Sequence, residues 1–351
     1  MRVFCYFVEP ASYTLDLAAN VYDKKKIDYC FIKSNSLVKS SSQTTKDFLE
    51  SKSLISKIGY VINVFKNNDF IIVNGYNNYP FILSFILNVF SINKRFIATE
   101  SDTQLTVPTN FIKRFIKWIY LSIIFRNRNV LGFAGGTSSH KDLFRHYGMK
   151  EDKIFLMPLM VDNAKFYCQN KVFPNTFTFL FIGRLVKHKG VEELIKQFNS
   201  NFIDKEATLR IVGSGEQEAY LKDKYESEKV IFVGKKFNND LIQELHLASC
   251  FVCPSIFEPW GLVVNEALSA SLPVIATKEV GATFDLIKDK QTGFVTDDMK
   301  DFGSKMLKLF NDSDLLGQYS KNASNLMQSY WNYDLYLRQL KTVINIIKRD
   351  I

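Results

Sequence analysis

A chain of 351 residues exceeds what one hydrophobic core usually serves, so two domains are expected, and 46% hydrophobic with 14% aromatic residues gives each half enough apolar mass for its own core. The formal charge of +9 is lopsided: residues 1–162 hold 21 Lys and Arg against 13 Asp and Glu, while residues 163–351 hold 24 against 23. A basic half suits nucleic acid, an anionic membrane surface or an anionic ligand; however, no nucleic-acid motif is recognisable, and the longest apolar tracts, FILSFILNVF and IYLSIIF, are too short to cross a bilayer.

The run RVFCYFV opens the chain at strand length, and YCFIK, FIIVNG, RFIAT and NVLGFAG repeat the pattern with helix-sized stretches between them. That alternation predicts a doubly wound parallel sheet. Residues 111–128, FIKRFIKWIYLSIIFRNR, follow Pro108 and are predicted to be a helix. At about 100° per residue, Lys113, Arg114, Lys117 and Arg128 share an arc of roughly 100°, and Phe, Ile and Trp fill most of the remainder. This is the pattern of a helix lying in an anionic membrane interface, or of a core helix with one solvated face.

The segment IFLMPLMVDNAKF, with Pro158, ends the first block, placing a first domain at 1–162 and a second at 163–333. The second repeats the design with FTFLFIGR, TLRIVGSG, VIFVGK, CFVCPS and LPVIAT. Cys250 and Cys253, a CxxC within an apolar run, read as buried strand thiols rather than a redox or metal pair. Five cysteines without a cleavable signal peptide fit free thiols in the cytoplasm or on the inner face of the cell membrane. The tail DLYLRQLKTVINIIKRD has apolar residues at helical spacing; a last helix at about 334–351 is expected to pack back on the first domain.

Three stretches can carry chemistry. In FLFIGRLVKHKG a strand ends at Gly183, and Arg184 and Lys189 follow at the carboxyl edge of the sheet, where open α/β folds bind ligands. Two cations there suit a diphosphate, or are ordinary loop charges. In RIVGSGEQEAYLK, Gly213 and Gly215 make a tight turn into a helix; such turns can offer amides to an anion, though this one lacks the third glycine of the dinucleotide fingerprint and a Walker lysine, so a plain turn is the simpler reading. In PSIFEPWGLVVNEALSASLPVIAT, Glu258 precedes a helix start whose amides are orphan donors, and Glu266 falls one to two turns in. Ionised carboxylates only accept hydrogen bonds, so each would grip hydroxyls, as of a sugar or a ribose. The plainer alternatives are a helix cap for Glu258 and an exposed helical charge for Glu266.

Together GRLVKHKG, VGSG, VIFVGK and PSIFEPWGLVVNEALSASLPVIAT, with Gly281 and TGFV after them, resemble the C-terminal domain of family 4 retaining glycosyltransferases of the GT-B fold, of the bacterial surface-polysaccharide type. Glu258 and Glu266 match that family's E-x7-E pair. The resemblance covers about residues 95–351, because GGTSSHKDLFRHYGMKEDKIFLMPLMVDNAKF is similar to the end of the family's N-terminal domain and its hinge. It implies two Rossmann-like doubly wound domains facing across a cleft.

The resemblance also implies roles. Arg184 and Lys189 match the basic pair that holds the donor diphosphate, so no metal or other cofactor is expected. Glu266 matches the ribose-binding carboxylate, Glu258 the one approaching the transferred sugar, and Pro259, Trp260, Gly261, Leu262 and Val263 the loop that meets donor sugar and phosphate. Gly183, Gly213 and Gly215 belong to the same donor side, and Lys236 or Phe237 to a base contact. The donor would be a UDP- or GDP-linked hexose and the acceptor a saccharide, free or polyprenyl-diphosphate-linked, with residues 111–128 as a candidate membrane contact.

There are departures. VEPAS stands where many members have a glycine-rich turn, no histidine precedes His140, and Ser271 replaces a usual glycine. Glu100, with Asp102 beside it at the end of a strand, is expected to stand in for the missing first-domain histidine near the sugar. The rival readings are a sugar-nucleotide epimerase of the same fold and a non-catalytic binding subunit. The joint presence of GRLVKHKG and both glutamates speaks against the first, and retention of Arg184, Lys189 and Glu258 against the second.

Overall fold

The computed structural model describes residues 1–34, 48–137, 139–169, 171–288 and 290–350. The chain divides into two compact units, Met1–Leu159 with Tyr333–Ile351, and Met160–Asn332.

The first unit is built on a sheet of six strands: β1 (Val3–Phe7), β2 (Asp28–Phe31), β3 (Phe70–Asn74), β4 (Phe96–Ser101), β5 (Val130–Ala134) and β6 (Ile154–Leu156). All pairings are parallel, in the order β2-β1-β3-β4-β5-β6. Strands covered on both faces need apolar residues at every position, which is why they appear in the sequence as unbroken runs rather than alternations. Successive side chains of β1 serve opposite faces. Phe4 and Tyr6 join a core with Val61, Phe65, Phe81, Leu121 and Phe144, while Phe7 packs edge-on against Tyr22 at 5.1 Å. Helix Tyr333–Asp350 buries Tyr336, Leu340, Val343 and Ile347, a stripe spaced by four and three residues.

The second unit has β7 (Phe177–Ile182), β8 (Ala207–Val212), β9 (Val230–Gly234), β10 (Cys250–Cys253), β11 (Val274–Thr277) and β12 (Gly293–Thr296), again all parallel, in the order β12-β11-β10-β7-β8-β9. Its core is aromatic: Phe179, Phe198, Phe202 and Phe310 make a chain of ring contacts 5.1 to 6.2 Å long. Cys250 and Cys253 are free, buried thiols inside β10, and burial raises both above the ordinary range. Asn163 ties the unit's first residues to its last. Its side-chain amide donates to the Met327 and Trp331 carbonyls at 2.7 and 2.9 Å and accepts from Ser269 Oγ at 3.0 Å.

Each sheet has one strand more than the five expected. β6 and β12 are edge strands of three and four residues: β12, GFVT, has too few apolar residues to mark it, and β6 lies inside the apolar run IFLMPLM, which with Pro158 reads as the end of the block rather than as a strand. The helix expected over 111–128 ends at Phe125, where Arg126 caps it.

Candidate functional site

In the second unit the strand order reverses between β7 and β10. The chain winds outward from β7 through β8 to β9, then returns to β10 on the other side. Loops leaving the carboxyl ends of two such strands part and leave a crevice. Arg184 and Lys189 lie on the β7 loop, and Glu258 on the β10 loop.

These loops pack backbone against backbone. Gly190 is left-handed (φ 69°), and a Cβ there would run into the Pro254 carbonyl; a Cβ on Gly213 (φ 143°) would run into that of Gly183. Ile256 N–H donates to the His188 carbonyl at 2.8 Å, Gly183 N–H to Val212 at 3.0 Å and Leu185 N–H to Ser214 at 3.0 Å. Gly213 gives its own N–H to the Gly234 carbonyl at 2.9 Å. Close loop approach is thus what requires glycine at 213, and its amide is engaged within the protein.

Arg184 is exposed. The Lys189 ammonium forms an ion pair with the Glu258 carboxylate, with 16% and 15% of the two side chains exposed. The Glu258 backbone is held by the next loop: its N–H donates to Glu279 at 3.2 Å, and its carbonyl accepts from Gly281 at 3.0 Å. The N-cap position of the following helix is not Glu258. Gly261 (φ 92°) occupies the N-cap of Leu262–Ser269, and Val264 N–H returns to its carbonyl at 2.8 Å.

Glu266 sits on the helix's second turn, only partly exposed, and desolvation pushes its carboxyl up to about 7. The Trp260 side chain goes the other way. It is buried, stacked on Trp331 at 5.7 Å, and donates from Nε1 to Asn265 Oδ1 at 2.8 Å, so it fixes the loop from beneath. Lys236 and Phe237 follow β9, the edge strand, about 10 Å of sheet from β7. Phe237 is 57% exposed, under the Lys235 ammonium at 4.7 Å.

Glu100 belongs to the first unit. There the strand order reverses between β1 and β3, and a cavity of about 300 Å³ opens at the carboxyl ends of the strands, lined by Glu9, Tyr13, Asn74, Glu100, Asp102 and Tyr336 among others. Tyr336 Oη donates to Glu100 Oε1 at 2.9 Å and lies 2.8 Å from Tyr22 Oη. Desolvation, helped by Asp102, pushes the Glu100 carboxyl up to about 7, against the hydrogen bonds from Tyr336 and Asn74. The sequence reading missed Tyr13, Asn74 and Tyr336. Tyr336 lies in a helical apolar stripe and is indistinguishable there from core.

Among the described residues, no group of three or more His, Cys, Asp or Glu is placed to hold a metal ion, and no helix is long and apolar enough to cross a membrane.

Residues 164–326 match the family model of glycosyl transferases group 1. An uncharacterized glycosyltransferase of Methanocaldococcus jannaschii is 38% identical over 119 residues, covering 32% of this chain and 30% of its own length. The capsular polysaccharide biosynthesis glycosyltransferase CapM of Staphylococcus aureus is 27% identical over 222 residues, covering 57% of each chain. Sucrose-phosphate synthase from Thermosynechococcus elongatus superposes with a TM-score of 0.74 at 16% identity, covering both chains fully. HepE of Anabaena, solved in complex with UDP-glucose, gives 0.75 at 16% identity, covering 98% of this chain and all of the other. The chain therefore has the two-Rossmann GT-B architecture and carries, in its second unit, a domain of the group 1 glycosyl transferases.

Proposed function

We propose that this protein transfers a hexose from a UDP- or GDP-linked donor to a saccharide acceptor, with retention of anomeric configuration, in the synthesis of a cell-surface polysaccharide or glycoconjugate. The observation that carries the reading is the loop pair at the reversal point of the second sheet, within a group 1 domain, with Arg184 and Lys189 on one loop and Glu258 on the other. The HepE complex with UDP-glucose supports the donor class.

The chemistry follows from charge. As the bond between sugar and phosphate breaks, negative charge gathers on the departing diphosphate. Preorganised cations and helix-start amides are usually the largest contribution to stabilising such charge. In this reading Arg184, Lys189 and the amides of Leu262 and Val263 take that role without a divalent cation. Glu266 accepts the ribose hydroxyls, and Glu258 meets the hydroxyls of the transferred sugar. The acceptor oxygen attacks the face the phosphate leaves, and the leaving phosphate takes the acceptor's proton.

A lipid-linked acceptor is part of the proposal. Helix Phe111–Phe125 exposes Phe111, Ile112, Phe115, Ile116 and Ile123 to between 53% and 68%, with Lys113 and Arg114 exposed among them. A peripheral membrane enzyme meets a polyprenyl-diphosphate saccharide at the bilayer surface, on the cytoplasmic side where nucleotide sugars are made.

Calorimetry of UDP, GDP and their sugars, with and without Mg²⁺, tests the site. One nucleotide is expected to bind the wild type equally in both conditions, and to bind Arg184→Ala and Glu266→Ala at least about tenfold more weakly. Unchanged binding by both variants would sink the site assignment.

A further inference from the structure

The cavity of the first unit has a charge character opposite to the chain around it. Residues 1–162 carry an excess of eight positive charges, 21 against 13. Among the described residues lining the cavity, however, the charged side chains are Glu9, Glu100 and Asp102, with no Lys, Arg or His. The rest of the polar lining suits hydroxyl groups: Tyr13, Asn74 and Asn77 carry side-chain donors and acceptors. Glu100 is held in place through Tyr336, whose hydroxyl is itself braced by Tyr22. At about 300 Å³ the space suits one monosaccharide ring.

We propose that this cavity holds the terminal ring of the acceptor and is charge-selective, admitting an uncharged or ammonium-bearing sugar and refusing a phosphorylated sugar or a uronate. The assignment rests on the transferase reading above for the word acceptor; the selectivity rests on the lining alone. An anion brought beside the Glu9 and Asp102 carboxylates meets repulsion with no cation in the lining to offset it, the kind of contact by which proteins reject wrong partners. The diphosphate of a lipid-linked acceptor must then lie outside this cavity, with only the distal sugar within it.

Saturation-transfer NMR on the full chain, with UDP present, tests this using methyl glucoside, glucosamine, glucuronate and glucose 6-phosphate at millimolar concentration. The first two are expected to bind at least about tenfold more tightly than the last two. Glu9→Gln combined with Asp102→Asn is expected to shrink that gap to about threefold or less, and Glu100→Gln to weaken the neutral sugar. Should the double variant not fold, raising salt on the wild type serves instead, since screening narrows a repulsive gap. Equal binding of all four sugars, binding of none, or a gap untouched by both the variant and salt overturns the proposal. Calorimetry with UDP on the same samples separates the two readings. Selective sugar binding without nucleotide binding keeps the cavity and defeats the transferase; nucleotide binding with unselective sugar binding does the reverse.

Discussion

Lys189 and Glu258 neutralise one another across two loops. A donor diphosphate would compete with Glu258 for the same ammonium, while Glu258 turns to the sugar hydroxyls. Lys189→Ala is expected to lower kcat/KM about a hundredfold, roughly 3 kcal/mol of transition-state stabilisation. A loss below about tenfold in a variant that still melts cooperatively would count against the phosphate role. Glu266 makes a second residue-level prediction. Its folded-state pKa is raised from 4.5 to about 7 by desolvation, so between those values the folded chain binds more protons than the unfolded one. This contribution to stability is present in full below pH 4.5 and is lost as pH rises through about 7. Chemical denaturation across that window is expected to show a shallower fall for Glu266→Gln than for the wild type; parallel curves would mean that the carboxyl titrates normally. Ser271 shows how far a single position can depart from pattern. It is buried and left-handed (φ 62°), a conformation glycine adopts without strain, and here a serine holds it while its carbonyl accepts from Ser320 Oγ at 2.7 Å.

Of the ten strands read from the sequence, the central ones were legible chiefly because a strand buried on both faces must be written as a nearly unbroken apolar run. β12 was not legible, since four half-covered residues, GFVT, leave no such run; β6 was not, because its run, IFLMPLM, is broken by Pro158 and reads as a junction between domains. The same logic divides the candidate sites. The motifs bearing Arg184, Lys189, Glu258 and Glu266 are local and could be read along the chain. The cavity around Glu100 joins residues from Glu9 to Tyr336, and only folding reveals that. Trp260 shows the converse, a motif residue whose side chain turns inward to Trp331. Helix Phe111–Phe125 carries the prediction at this scale. Replacing Ile112 and Ile116, 66% and 61% exposed, by Asp is expected to weaken binding to vesicles containing anionic lipid at least about tenfold and to leave melting nearly unchanged. Vesicle co-sedimentation unaltered by the pair would assign this face elsewhere.

At the scale of the whole molecule, the second unit is one uninterrupted stretch with its own sheet and core, whereas the first is made of two segments far apart in the chain. Residues 160–332 expressed alone are therefore expected to unfold cooperatively and to bind the same nucleotide as the full chain. A fragment with helical circular dichroism but no cooperative melt would show that the unit depends on the rest.

Tyr336 joins Glu100 across 236 residues of sequence. On a ribosome adding about 5–20 residues each second, that contact waits on the order of tens of seconds after Glu100 has been made. The second unit is complete in the emerging chain before the first can close, so the proposed nucleotide side exists earlier than the sugar-holding cavity. On that proposal, every nascent copy passes through an interval in which it could hold a donor but would have no finished place for what that donor is meant to modify.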